Sequence, residues 1–229
     1  MFNVVVPMAG KGSRFKEADY TAPKPFIQID KEPLFFHAIK NFLKEDCFFV
    51  FVVRETDLKH FPLINYLNKL DIQYKLILQN KDLNGPVETI FLSKKYLKND
   101  KTFFVDCDQY SEFNVKDFIK KVEENYCAGG LLTFESQSNI YSYVESNQYF
   151  ITNIEEKKVI SADACSGVYY WSDHKKYFYY ADDIISDGEK YMSSVYKKAL
   201  NNKELFMMEK CLNFKTYGTP KDLERNNDS

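Results

Sequence analysis

The 229-residue chain lacks the features that would tie it to a nucleic acid or a membrane. Its 31 lysines and arginines nearly balance 33 aspartates and glutamates, so no strong field of one sign marks a nucleic-acid or membrane-surface binder. No apolar run approaches the length needed to cross a bilayer, and no basic segment followed by an apolar one opens the chain. We therefore expect a soluble, cytoplasmic protein.

The cysteines are few and scattered. They are odd in number, lie far apart and include no C-x-x-C pair, which argues against a disulfide framework and against a zinc site. The five are Cys47, Cys107, Cys127, Cys165 and Cys211. We also find no internal repeat, low-complexity segment or linker. The sequence therefore predicts reduced thiols and a single domain over residues 1–229, with halves at 1–128 and 129–229.

Short apolar runs alternate with amphipathic stretches through the first half. Runs such as CFFVFVV and TFFV are apolar on both faces, as strands covered by helices on two sides must be. Strands are predicted at 2–6, 47–53, 72–78 and 102–106, with helices at 33–45, 56–70 and 86–98. After residue 128 we predict the strands GLLTF, YSYVES, YFITNIEE and SGVYYW, followed by helices near 174–185 and 189–200. The pattern predicts an α/β fold with a mixed, mainly parallel sheet and a small α+β lobe laid over it.

A glycine turn follows the first predicted strand in VVPMAGKGSRF. A G-x-G-x-x-G dinucleotide fingerprint fails because Phe15 stands at its third glycine, and a P-loop fails because Ser13 follows Gly12. What remains is a turn whose backbone N–H groups suit phosphate, with Arg14 beside it. Lys24 follows between two prolines, which predicts an extended segment that restricts where its side chain points.

A second polar cluster ends a buried strand in FFVDCDQ. Asp106 and Asp108 are two residues apart in an extended chain, so their carboxylates point to the same side at the edge where α/β sheets bind ligands. Such a pair suits Mg²⁺ carrying a polyphosphate. The alternative is a turn in which Asp108 caps a helix. Together with the glycine turn, the acid pair predicts a site for a nucleoside triphosphate.

These motifs resemble those of the sugar-1-phosphate nucleotidylyltransferases, the nucleotide-sugar pyrophosphorylases. GKGSR at 10–14 and PKP at 23–25 resemble the family signature, and VDCDQ resembles its metal-binding strand end. LQNKDLNGPVETI is similar to the base-recognition segment, and NIEEKKVISADACSGVYYW to the E-E-K-P segment with its following strand. SDGEKYM and YGTPKDL resemble the short G-E segment and the closing turn. The resemblance covers nearly the whole chain, in order.

The resemblance implies a GT-A-like, Rossmann-like three-layer α/β/α fold and transfer of NMP from an NTP to an acceptor phosphate, with Mg²⁺ as cofactor and release of pyrophosphate. It gives catalytic roles to Arg14, Lys24 and Asp108, and metal binding to Asp106 and Asp108. It assigns nucleotide binding to Ala9, Gly10, Gly12, Ser13, Gln79 and Gly85, and acceptor binding to Glu156, Lys157, Gly167 and Glu189. Members often associate, so a homo-oligomer is one of the states that the sequence leaves open, and their usual pathways suggest bacterial surface polysaccharide synthesis.

Two departures from the family pattern leave the acceptor open. The closing turn has no aspartate before Gly218, and Lys158 stands where the family has proline. The expected substrates are CTP, UTP or dTTP with a sugar 1-phosphate or a phospho-alcohol. Two alternatives are a glycosyltransferase that binds a finished nucleotide sugar and a non-catalytic nucleotide-binding subunit.

Overall fold

The computed structural model describes residues 1–188 and 190–227. Its strands are β1 (Phe2–Met8), β2 (Gln28–Ile29), β3 (Glu32–Pro33), β4 (Cys47–Arg54), β5 (Gln73–Gln79), β6 (Thr102–Val105), β7 (Gln109–Glu112), β8 (Gly129–Glu135), β9 (Tyr143–Asn147), β10 (Phe150–Glu155), β11 (Asp163–Trp171), β12 (Phe206–Lys210) and β13 (Asn213–Thr216). Its helices are α1 (Ser13–Lys16), α2 (Leu34–Ile39), α3 (Leu63–Lys69), α4 (Pro86–Phe91), α5 (Val115–Glu124), α6 (His174–Ser186), α7 (Met192–Asn201) and α8 (Pro220–Asn227).

One nine-stranded sheet runs through both halves of the chain in the order β5-β4-β1-β6-β11-β8-β12-β10-β9. The first four strands are parallel to one another, as predicted. From β11 onward the neighbours are antiparallel, except for β8 and β12. The mainly parallel character therefore holds only for the first half. The predicted lobe over the sheet is wrong in its placement, because the later strands extend the same sheet edge to edge.

Two apolar cores lie on opposite faces of this sheet, because side chains alternate along each strand. Val4 and Val6 of β1 join a cluster with helices α2, α3 and α5. Val5 of the same strand joins a second cluster with helices α4, α6 and α7. The apolar runs noted in the sequence are thus strands that bury both faces.

Three predicted helices are shorter than expected. The stretch 56–70 divides at Pro62 into a 3₁₀ segment, Glu55–His60, and helix α3, because proline inside a helix removes a hydrogen bond and clashes with the preceding turn. The stretches 33–45 and 86–98 likewise end in 3₁₀ turns, at Lys40–Phe42 and Lys94–Tyr96. None of the helices within 1–188 and 190–227 has the length and apolar character needed to cross a membrane.

Candidate active site

A cleft of about 680 Å³ lies where the parallel strands end. The segments that leave the carboxyl ends of β1, β4, β5 and β6 all contribute to its wall, which is the edge where open α/β sheets bind ligands. The cleft brings together nine residues singled out from the sequence, namely Ala9, Gly10, Gly12, Ser13, Arg14, Lys24, Gly85, Asp106 and Asp108.

The glycine turn connects β1 to the short helix α1. Gly12 has φ +60°, a left-handed conformation that favours glycine, and its carbonyl accepts hydrogen bonds from Phe15 N and Lys16 N at 3.1 Å. A Cβ on Gly10 would meet nothing within 4 Å. Arg14 is exposed at the cleft, and no carboxylate in the described part of the chain pairs with it. The turn therefore presents open backbone and an unpaired cation.

Lys24 crosses the cleft to Asp108. The predicted extended segment is wrong here, because Lys24 begins a 3₁₀ turn, Lys24–Phe26, closed by a 2.9 Å bond from Phe26 N to Pro23 O. The fixed φ of Pro25 suits such a turn. The ammonium pairs with Asp108 Oδ2, with the two side chains 21% and 17% exposed. Burial is the largest single effect and disfavours the charged ammonium, but attraction and hydrogen bonding from Asp108, with smaller contributions from Cys107 and Asp106, together raise the pKa of Lys24 above its ordinary value.

The acid pair follows β6 directly. Asp106 N donates to Gly167 O at 2.8 Å, and Tyr217 N donates to Asp108 O at the same distance, so both backbones are fixed by later parts of the chain. Burial, followed by repulsion from Asp108, raises the pKa of Asp106 to about 7. The Asp108 carboxylate pairs with Lys24 and does not cap a helix; Asn114 caps the next one. Two carboxyl groups thus converge beside one ammonium.

The loop after β5 forms the opposite wall. Gly85 has φ +104°, and a Cβ there would lie 2.7 Å from Lys190 Cβ, so glycine is required where this loop meets the segment before α7. Gln79 is not among the residues that line the cleft: the residue is 7% exposed, and its Nε2 donates to Lys81 O at 2.7 Å. Gln79 therefore supports the loop through Lys81, and its contact with a base stays a prediction.

Two of the acceptor residues predicted from the sequence, Glu156 and Lys157, lie next to the cleft. Glu156 accepts hydrogen bonds from the hydroxyls of Ser142 and Ser193, the latter at 2.8 Å. Lys157 Nζ lies 3.0 Å from the hydroxyl of Tyr191, which lines the cleft. Glu189 lies outside the described residues.

Gly167 abuts the acid pair. It has φ +83°, and a Cβ built on it would lie 2.8 Å from Asp106 Oδ2. Only glycine therefore lets Asp106 adopt this position. The acceptor role of Gly167 stays a prediction.

The closing turn carries no acid next to Gly218, as the sequence indicated. The nearest candidate, Asp222, accepts a 2.7 Å hydrogen bond from Thr219 Oγ1, and its backbone N donates to the same hydroxyl at 3.2 Å. The Thr219 hydroxyl thus caps the start of α8 by accepting from Asp222 N, and the Asp222 carboxylate holds that hydroxyl in place. Asp222 therefore stabilises the helix in this structure.

Several cleft residues escaped the sequence analysis. Asp82 bridges the glycine turn and β4, since its two carboxylate oxygens lie 3.1 Å from Lys11 Nζ and from Arg54 Nη1. Arg54 could have been found, because it ends a buried parallel strand next to β1. Asp82 and Lys190 lie in the segments LQNKDLNGPVETI and SDGEKYM that the sequence had singled out, but nothing in those segments marked these two side chains.

The comparisons with known structures place this arrangement in a class of folds. The chain has the fold of nucleotide-sugar pyrophosphorylases and related nucleotidyltransferases, in which a central mixed sheet carries helices. No protein-family model and no curated protein sequence matches it.

Three solved structures illustrate the likeness. The nucleoside-diphosphate-sugar pyrophosphorylase from Vibrio cholerae RC9 is 20% identical with a TM-score of 0.86, covering 99% of this chain and 100% of its own. The inositol-1-phosphate CTP transferase from T. maritima is 21% identical with a TM-score of 0.81, covering 97% and 91%. A UDP-glucose pyrophosphorylase complexed with UDP-glucose is 16% identical with a TM-score of 0.81, covering 100% and 97%. At these identities the likeness concerns the fold.

Proposed function

We propose that the protein is a Mg²⁺-dependent nucleotidylyltransferase that transfers NMP from CTP, UTP or dTTP to a phosphorylated sugar or small alcohol and releases pyrophosphate. The proposal includes a GT-A-like, Rossmann-type three-layer fold, a cytoplasmic location, association into a homo-oligomer and a role in bacterial surface polysaccharide synthesis. The similar solved structures are enzymes named for nucleoside-diphosphate sugars, inositol 1-phosphate and UDP-glucose, which supports a phosphorylated sugar or small alcohol as the acceptor.

The observation that carries the proposal is the convergence of the glycine turn, Arg14 and the Lys24–Asp108 pair in one cleft. Transfer of a nucleotidyl group needs little covalent chemistry from the protein; it needs positioning and neutralisation of phosphate charge. Arg14 would neutralise the leaving pyrophosphate, and Lys24 would meet the α-phosphate where an acceptor oxygen attacks in line. A glycosyltransferase that binds a finished nucleotide sugar releases no pyrophosphate, so it has no such leaving group for Arg14 to neutralise.

The acid pair fits a divalent cation. Two carboxylates at one strand end raise the pKa of Asp106 to about 7 through burial and mutual repulsion, and a hard cation would relieve that repulsion. Asp106 and Asp108 would hold Mg²⁺, which supplies charge neutralisation on the polyphosphate. Lys24 would then leave Asp108 for the nucleotide.

The side chains near Tyr191 would receive the acceptor. Lys157 would bind the acceptor phosphate, and Glu156, held by two serine hydroxyls, would accept hydrogen bonds from acceptor hydroxyls. Because neither residue depends on the glycine turn, we expect acceptor choice to be separable from nucleotide choice.

Pyrophosphate release tests the proposal. Each of CTP, UTP, dTTP, GTP and ATP is offered with Mg²⁺ against a panel of sugar 1-phosphates and phospho-alcohols, with Lys24→Ala and Asp108→Ala alongside. Lys121→Ala is the matched control, because Lys121 pairs with Glu209 on the surface of α5. We expect release from one pair of substrates, lost in the two cleft variants and kept in the control. Binding of a nucleotide sugar without any release would favour the glycosyltransferase, and NTP binding without release the non-catalytic subunit.

A further inference from the structure

The side-chain oxygen of Gln109 lies near the acid pair and has no hydrogen-bond donor among the described residues. It is the first residue of β7 and lines the cleft with Asp106 and Asp108. Its Oε1 is buried, and no hydrogen-bond donor in the described part of the chain reaches it. A buried acceptor without a partner is uncommon in folded proteins and calls for an explanation.

The amide oxygen and the Asp106 carboxylate face the same point. A Cβ built on Gly167 would lie 2.9 Å from Gln109 Oε1 and 2.8 Å from Asp106 Oδ2. Since Gly167 has no side chain, the two oxygens approach this position from different strands without a carbon between them. Two acceptors that converge in this way repel each other unless a donor or a cation joins them.

The backbone around Gln109 is held from two directions. Gln109 pairs with Thr216 across the small β7–β13 sheet, and the preceding residue is fixed by the bond from Tyr217 N to Asp108 O. The side chain therefore starts from a backbone position that later parts of the chain define. This is the kind of support that a ligand site requires.

We propose that Gln109 Oε1 is a ligand of the Mg²⁺ at this site, together with Asp106 and Asp108. Amide and carboxylate oxygens are ligands of hard divalent cations. The inference rests on the proposed function for the identity of the metal, and it extends the metal site to a residue that is neither acidic nor part of the glycine turn.

Mn²⁺ titration tests the assignment without turnover. Mn²⁺ alone is added to the unaltered protein, and the free ion is measured by electron paramagnetic resonance, with Mg²⁺ added as competitor. We expect saturable binding that Gln109→Leu weakens by about tenfold or more, whereas Gln109→Glu, which keeps an oxygen, binds at least as tightly as the unaltered protein. Ser111→Ala on the same strand is the control, because Ser111 is also buried but does not line the cleft.

Three outcomes would overturn the proposal. One is no saturable Mn²⁺ binding by the unaltered protein, and another is unchanged affinity in a folded Gln109→Leu protein. The third is an equal loss in the Leu and Glu variants, which would mean that Gln109 donates an N–H to Asp106 and only positions it. Since no nucleotide is present, these outcomes are independent of whether pyrophosphate is released.

Discussion

Two neighbouring parts of the site hold their charges differently. In the part proposed to bind phosphate, residues 9–14 with Lys24 and the acid pair, backbone groups are open and Lys24 pairs with Asp108. In the part proposed to bind the acceptor, Glu156 and Lys157 beside the cleft with Tyr191, hydroxyl groups contact the charged side chains. We call these parts the phosphate side and the acceptor side. The phosphate side is suited to a ligand common to every NTP. The acceptor side is built from side chains. Substitutions there should therefore change which acceptor binds without disturbing the phosphate side.

The largest expected effect isolates the phosphate side. Lys24→Met removes the cation that would stabilise the charge developing on the α-phosphate, and we expect kcat to fall by about 10²–10³-fold. The KM for the acceptor should stay close to that of the unaltered enzyme, as steady-state kinetics would show. A change in acceptor KM as large as the change in kcat would mean that the two sides do not act separately.

The sequence was sufficient to predict that the polar ends of two strands meet in one cleft, because local patterns determine where those ends lie. A buried strand followed by Gly10 and Gly12, and another followed by Asp106 and Asp108, had to bring their polar ends to one edge once the strands were parallel. The contact between Lys24 and Asp108 needed the fold, since 84 residues separate them.

The acceptor side was harder to predict because its contacts are nonlocal. Strand β11 enters the sheet antiparallel to β6, and its register shifts between Cys165 and Tyr169, which places Gly167 against Asp106. The hydroxyls that hold Glu156 come from two separate segments. Neither the bulge nor the serine pair has a sequence signal of its own, so only the assembled sheet reveals them.

A pair of glycine variants gives the next largest effect. In Gly167→Ala the new Cβ would lie 2.8 Å from Asp106 Oδ2 at φ +83°, whereas in Gly10→Ala it would meet nothing within 4 Å. We expect thermal unfolding to show a loss of about 1–3 kcal/mol for the first and little change for the second. Equal stability in the two proteins would mean that the junction of β6 and β11 is not tightly packed.

The acid pair should make stability depend on pH. The pKa of Asp106 is raised from 3.8 to about 7 by burial and by Asp108, so its neutral form favours the folded state. That contribution is fully present below the unfolded pKa and is lost as pH rises through about 7. Unaltered protein should therefore lose stability as the pH rises from about 4 to about 7, and Asp106→Asn should lose less. Parallel melting curves for the two proteins would contradict this.

A variant with a smaller expected effect tests the acceptor side alone. Ser193→Ala removes the 2.8 Å hydrogen bond to Glu156 but leaves the one from Ser142. We expect the free energy of acceptor binding to weaken by about 1 kcal/mol, which is roughly a fivefold rise in acceptor KM. The KM for the NTP should not move. Ser146→Ala serves as the control, because the Ser146 hydroxyl donates to Gln148 O on the surface. A rise in the KM for the NTP instead would mean that nucleotide binding and acceptor binding are coupled.

The smallest expected effect concerns the cations that Asp82 holds. Its carboxylate bridges Lys11 and Arg54 at 3.1 Å, and the ion pair with Lys11 chiefly lowers the pKa of Asp82. Since exposed ion pairs contribute little, Asp82→Asn should free both cations with almost no loss of stability and tighten NTP binding by about two- to fivefold. The gain should shrink as salt is raised, because screening weakens the freed cations. Weaker NTP binding in equilibrium titrations would instead mean that Asp82 orders the glycine turn for the phosphates.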